Sequence, residues 1–363
     1  MDTTKITCVS VATGDDCDQN VVVIKNPKTL TAKTASEREH EFSFDRVFDE
    51  NSKQTEVFEE ISQLVQSALD GYGVCIFAYG QTGSGKTYTM EGASPDAITT
   101  EPHRAGMIPL ALSQVFESIK DLEKIGWKYA MQASFVEIYN DTLRDLISGT
   151  EKLELKMLSA ASKEVQVSGL TIHEVVNVSQ GIIDLIPTKE ALIISDDMNA
   201  HIGTPTEGWE HVQELLEAAS RNRAVAATKC NERSSRSHSV FRLKIVGENT
   251  VTGECCEGFL NMIDLAGSEC IKKSGSEGDR QTEAIHINKS LSFLGQVIMK
   301  IAQKQTHIPF RNSKLTHYLQ NCLGGSSKML MFVNITPADT SFDQSLCALR
   351  FATDVSLYRV FIA

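Results

Sequence analysis

The sequence predicts a layered α/β fold. Two observations carry that prediction. Short apolar runs of strand length, among them VCIFAYG (74–80), FLNMI (259–263) and MLMFVNIT (329–336), alternate with stretches whose apolar residues recur at helical spacing. No tandem repeat, low-complexity linker or other internal boundary interrupts that alternation, so residues 1–363 are expected to form one domain.

The elements follow in chain order. Residues 21–49 read as short strands and turns, VVVIKNPKTLTAKT and then HEFSFDRVF, with Phe42 and Phe44 in alternation. TEVFEEISQLVQSALDGYG reads as a helix, because Val57, Phe58, Ile61, Val65, Ala68 and Leu69 share one face and Gly71 suits the position after its last turn. VCIFAYG is then a buried strand. KYAMQASFVEIYN is another strand, DTLRDLI (141–147) a short helix, and HVQELLEAASRNRAVA (211–226) a longer one. FRLKIVGENTVTGECCEGFLNMIDLAG reads as a hairpin running into an apolar strand. INKSLSFLGQVIMKIAQ is a long helix with Leu291, Leu294, Val297, Ile298 and Ile301 on one side, and MLMFVNIT is a last buried strand.

Composition narrows the class. A chain that is 41% hydrophobic and 23% charged is that of a soluble globular protein. It holds no run of 18 apolar residues to span a membrane, and MDTTKITCVSVATGDD lacks the basic and apolar regions of a secretory signal. Nine cysteines at irregular spacing, with no CxxC pair, point to reduced thiols in the cytoplasm. A net charge of −12 speaks against wholesale nucleic-acid binding. Charge is unevenly spread, however: residues 270–330 hold nine Lys/Arg against three Asp/Glu, a local excess of +6. That patch is either a solvated helix face or a docking face for an acidic partner.

Three motifs carry chemistry. Gly80, Gln81, Thr82, Gly83, Ser84, Gly85, Lys86 and Thr87 match GxxxxGK[ST] directly after an apolar strand. In such a loop, glycines let backbone N–H groups converge on phosphates, the lysine reaches the β- and γ-phosphates, and the hydroxyl binds Mg²⁺. Asn231 to His238, NERSSRSH, is a dense polar cluster whose hydroxyls suit phosphate or magnesium, or a helix cap. Asp264 ends the run FLNMI, where a Walker-B carboxylate would sit, and Gly267 three residues on has an N–H to offer a γ-phosphate. The guanine-reading NKxD pattern is absent, since Asn288-Lys289-Ser290 is followed by Leu291, so ATP is the expected nucleotide.

GYGVCIFAYGQTGSGKTYTMEG, NERSSRSHSVF, IDLAGSE, INKSLSFLG, HIPFRNSKLTHYLQNCLGG and MFVNITP together resemble a kinesin motor domain from about residue 40 to 353, residues 181–210 excepted. RNRAVA and the stretch leading into the phosphate loop are most similar to the C-terminal-motor, minus-end-directed spindle kinesins. The resemblance implies a P-loop NTPase fold, with a central, mostly parallel eight-stranded sheet and helices on both faces. It implies a microtubule-stimulated ATPase using ATP and Mg²⁺, at work in the cytoplasm on microtubules and the spindle. It also implies roles. Gly80 to Thr87 would bind the phosphates and Tyr88 would lie against adenine. Asn231, Ser234 and Ser235 would serve the first switch, with Thr87, Ser235 and Asp264 at the metal. Lys86, Ser235, Arg236, Gly267 and Glu269 would act in hydrolysis, with an Arg236–Glu269 salt bridge between the switches. Lys272, Lys273, Lys289, Arg311 and Lys314 would meet the acidic surface of tubulin.

The chain departs from that family at several points. Residues 1–39 lack the Arg-x-Arg-Pro strand that packs on adenine, although Lys5–Ala12 alternates like a strand. Cys270 stands where Arg is usual, and Thr282 and His286 replace a basic residue and an Asn, while Glu283 remains. No coiled-coil heptads are present, so dimerisation requires a stalk outside this sequence. LIISDDMNAHIG resembles the GDxNxH strand of endonuclease–phosphatase proteins through Asp197, Asn199 and His201, but residues 181–210 are too few for that chemistry and are expected to be an inactive insertion in a surface loop. The ending DVSLYRVFIA and the unusual start suggest a truncated or alternatively spliced chain. The rival expectation is a degenerate head that binds microtubules without productive turnover.

Overall fold

The computed structural model describes residues 5–11, 20–33, 38–93, 102–157, 165–176, 214–223, 235–269, 279–324 and 327–357. The segment 181–210 lies outside them. Strand β6 (Gly73–Gly80) is central. It pairs in parallel with β13 (Cys255–Asp264) on one side and β14 (Lys328–Ile335) on the other. The parallel set continues through β1 (Lys5–Val11) to β5 (Arg46–Phe48). Beyond β13 the sheet turns antiparallel through β12 (Ser237–Asn249), β7 (Trp127–Tyr139), β8 (Thr142–Asp145), β9 (Glu151–Met157) and β10 (Val165–Ser168). With β11 (His173–Val176) on β7, the sheet has eleven strands among the described residues. The sheet is therefore larger and more mixed than the eight mostly parallel strands expected: the parallel half is the one that ends in the phosphate loop, and short hairpin strands extend the other. β2 (Val22–Asn26), β3 (Thr29–Ala32) and β4 (His40–Ser43) form a separate small sheet.

The period of two along β6 builds two cores. Val74, Ile76 and Ala78 join the cluster under helices α1 (Gln54–Leu69) and α3 (Met107–Glu123), while α2 (Lys86–Met90) follows the phosphate loop. Leu215 and Ala219 of α4 (214–223) enter the same cluster. Cys75, Phe77 and Tyr79 join the opposite cluster, under α5 (Asp279–Ala302), α6 (Lys314–Tyr318), α7 (Gln320–Leu323) and α8 (Phe342–Leu357). Helices thus cover both faces, as a sheet buried on both sides requires.

The expected helix at 141–147 is instead strand β8. Asn140 and Asp141 both have positive φ, 49° and 57°, which makes a tight primed turn and folds Thr142 back onto Tyr139. Of the expected strand Lys5–Ala12, Lys5–Val11 does form one, and Val9 is fully buried beside β14.

Helix α1 crosses β13 at Gly258, where a Cβ would stand 1.9 Å from the Ala68 carbonyl oxygen. Gly258→Ala is expected to force the helix off the sheet and cost about 1–3 kcal/mol. Urea unfolding checks this through a lowered midpoint at unchanged slope.

Candidate nucleotide site

The chain leaves β6 through Gly80, whose φ of +155° and backbone approach to Asn334 exclude a side chain: a Cβ would lie 2.1 Å from the Asn334 carbonyl oxygen. The loop enters α2 through Gly85, left-handed at φ +92°. Between them the Gln81 carbonyl oxygen accepts from Ser84 Oγ and from Lys86 Nζ, each at 2.8 Å. Gln81 Nε2 donates to Thr336 Oγ1 at 3.0 Å and Ser341 Oγ at 2.9 Å, tying the loop to the end of β14. Lys86 is buried. Burial lowers its pKa, while the carboxylates of Asp264 and Glu269 oppose that shift.

Asp264, at the end of β13, is the centre of the site. Its Oδ2 accepts from Thr87 Oγ1 at 2.7 Å and from Arg223 Nη1 at 2.8 Å. Its Oδ1 is buried and makes no hydrogen bond among the described residues. Arg223, at the end of α4, also donates to Glu91 Oε1 at 3.1 Å. Burial raises the pKa of Glu91 and the Arg223 charge opposes it. A hydroxyl beside a carboxylate with one free buried oxygen offers the hard oxygen donors that Mg²⁺ prefers. Among the described residues, its chain neighbours aside, no atom comes within 4 Å of where a Cβ on Gly83 would stand, so the loop has open space beside it. The residues present therefore fit a magnesium–triphosphate.

The segments around Ser235 and Gly267 close on this loop. Gly267 N–H donates to the Ser235 carbonyl at 2.8 Å, and Ser268 N–H to the Gly80 carbonyl at 3.0 Å. Glu269 accepts from Thr82 N–H at 3.0 Å and from Thr82 Oγ1 at 2.5 Å. Arg236 Nη1 donates to Glu283 Oε2 at 2.8 Å, and the Tyr139 hydroxyl donates to Glu283 Oε1. The expected Arg236–Glu269 pair is thus not what this structure holds. Glu269 is drawn to the amide and hydroxyl of the phosphate loop, and Arg236 finds a carboxylate on α5 that is only 14% exposed. His238 is 3% exposed, and burial pushes its pKa down to about 3, so it is neutral at physiological pH.

Other expected residues are more dispersed. Tyr88 is exposed, and its carbonyl accepts from Gln54 Nε2 at 2.5 Å. Lys289 is exposed on α5 with its ammonium 5.9 Å from the Phe293 ring centroid. Arg311 lies in the 3₁₀ turn Phe310–Asn312, and Lys314 opens α6; both elements pack on α5. Asn231, Ser234, Lys272 and Lys273 lie outside the described residues. Arg223 and Glu91 went unrecognised in the sequence. The only signal was an arginine in RNRAVA at a helix end and a glutamate five residues after Lys86, neither of which makes a motif alone.

The family profile described as the kinesin motor domain matches residues 7–201 and 203–357. The kinesin-like protein KIN-14M of Arabidopsis thaliana is 47% identical over 353 residues, covering 94% of this chain and 43% of the relative. The chain thus spans about two fifths of the length of that relative. The structure of the C-terminal motor domain of Kar3 from Candida glabrata aligns with a TM-score of 0.74 at 34% identity, covering 97% of each chain. A structure of a fast kinesin, described with implications for its ATPase mechanism and interactions with microtubules, aligns with a TM-score of 0.81 at 33% identity, covering 98% of this chain and 91% of that one.

Arg223 neutralises two carboxylates at once, so Arg223→Met is expected to cost about 3–5 kcal/mol by leaving buried charge uncompensated. The loss has a pH signature. Burial already holds the Glu91 pKa up while the Arg223 charge opposes that shift, so without the cation it rises further, and the contribution of this carboxyl, present at low pH, is lost as pH rises. Urea unfolding at pH 5 and pH 8 should show the variant closer to wild type at pH 5.

Proposed function

Because the chain belongs to the kinesin motor-domain family, on its C-terminal-motor side, we propose that it is the ATP-hydrolysing, microtubule-binding head of such a motor. The observation that carries this reading is convergence: Thr82, Lys86, Thr87, Asp264, Gly267 and Glu269 meet at the mouth of one loop, from two stretches of sequence far apart in the chain. Bound ATP and Mg²⁺ supply the scissile phosphoanhydride and neutralise charge on its oxygens.

The protein residues do the rest. Lys86 has an ammonium within the loop, held by a carbonyl it can exchange for phosphate oxygen. Thr87 and Asp264 would hold the cation side. Gly267 N–H and the Ser235 side bind each other at 2.8 Å and would part to take a γ-phosphate between them. Closing the site would also bring Arg236 from Glu283 to Glu269, the pair that orients the attacking water. Lys289, Arg311 and Lys314 support a track-binding face around α5, with Lys272 and Lys273 assigned to it by resemblance. Nucleotide state and track affinity are then reciprocally coupled through α5. Movement requires dimerisation through a stalk outside this sequence, and the place of action is the microtubule cytoskeleton, including the spindle.

A second reading is favoured by one observation. Glu269 is held on Thr82 and Arg236 on Glu283, so closure requires both contacts to break. A head that never makes that exchange grips microtubules without turnover.

Steady-state ATPase of the purified chain with and without polymerised microtubules separates the two. Stimulation of about tenfold or more, reduced at least about 10²-fold by Lys86→Ala, is expected of the motor. Co-sedimentation with microtubules but no stimulated turnover would establish the non-hydrolysing head instead.

A further inference from the structure

Helix α5 is held to the nucleotide side of the molecule at three described points, and only one is a buried, fully directed hydrogen-bond chain. Glu283 meets Arg236 and Tyr139 near the start of α5, on the antiparallel strands rather than on the loop after Asp264. Asn288 Nδ2 reaches the Glu269 carbonyl at a long 3.4 Å. The third is His238. Its Nδ1 accepts from Ala266 N–H at 3.0 Å, its Nε2 lies 2.7 Å from Ser290 Oγ, and Ser290 Oγ lies 2.7 Å from the Ile287 carbonyl oxygen.

The chemistry of the ends fixes every proton. An amide only donates, so Nδ1 is bare and Nε2 carries the hydrogen. A carbonyl only accepts, so the Ser290 hydroxyl donates to Ile287 and receives the imidazole N–H on its lone pair. Ala266 is fully buried, His238 is 3% exposed and Ser290 9%, so water does not readily replace a lost partner. Ala266 sits between Asp264 and Gly267. A displacement of Gly267 moves that amide, and the imidazole must then follow it or leave a buried group unpaired.

We propose that His238 is a positioning residue that transmits displacement of the Ala266–Gly267 loop to the middle of α5 through Ser290. The inference rests on the motor reading and adds to it the physical link between site and track-binding helix. It distinguishes this link from the Glu283 contacts, which fasten α5 without touching the Asp264 loop.

Ser290 is the residue to change, because it contacts neither the phosphate loop nor Asp264. The readout is the ratio of microtubule Kd values in ADP and in a non-hydrolysable ATP analogue, measured on the full chain. Ser290→Ala is expected to shrink that ratio by about fivefold or more. Ser290→Thr, which keeps the hydroxyl, should hold the ratio near wild type, while the near-isosteric Ser290→Val should lose it. His238→Ala should match Ser290→Ala, and the double variant should add little to either. A purely structural role would lower the unfolding midpoint without moving the ratio. If the Thr and Val variants fold and share the wild-type ratio, the link through His238 is wrong. If the wild type itself shows no nucleotide-dependent affinity, the motor reading falls and this inference falls with it.

Discussion

Burying one carboxylate with its partners in the interior is the constraint around which this site is arranged. Asp264 is 2% exposed at the end of a strand whose neighbours on both sides are central. A carboxylate there is costly to bury without partners. Arg223 Nη1 and Thr87 Oγ1 both bind its Oδ2, while Lys86 lies close enough for the Asp264 charge to raise its pKa. The arginine comes from α4, the threonine from the turn after the phosphate loop, and the aspartate from β13. The one charged oxygen thus fixes the relative placement of three elements. Glu91 joins the same arginine, so the cation is shared between a buried acid and a part-buried one.

A second regularity follows from the cost of unpaired polar groups. Each group suited to phosphate already has a protein partner: Lys86 has the Gln81 carbonyl, Thr82 N–H has Glu269, and Gly267 N–H has the Ser235 carbonyl. Binding a ligand would therefore exchange hydrogen bonds rather than create them, and such exchanges are nearly balanced in free energy. A near-balanced exchange is what lets a small ligand shift a loop between two arrangements. The alternative partners of Glu269 and Arg236 are part of the same economy. Each waits on a group that closure would release.

Much of this was legible in the sequence, and the rest was not for identifiable reasons. Strand β6, helix α1 and the β12–β13 hairpin were readable because periodicity and turn chemistry agree there. Residues 141–147 misled because TLRDLI has helical composition, while two adjacent positive-φ residues, Asn140 and Asp141, decide the geometry before it begins. The phosphate loop was legible because its spacing is itself the mechanism. Arg223 and Glu91 were not, because they act through a tertiary contact between residues 132 positions apart. The Arg236–Glu269 pair came from resemblance, whereas the Glu283 partner depends on where α5 packs, which no local pattern records.

The most direct test of the central claim is equilibrium binding of a fluorescent ADP to wild type and to Asp264→Asn, with Mg²⁺ present and chelated. The account predicts tight binding that Mg²⁺ strengthens in the wild type, and a loss of that magnesium dependence in Asp264→Asn. Magnesium-strengthened binding that survives intact in Asp264→Asn would contradict it, because the buried carboxylate would then have no part in holding the nucleotide.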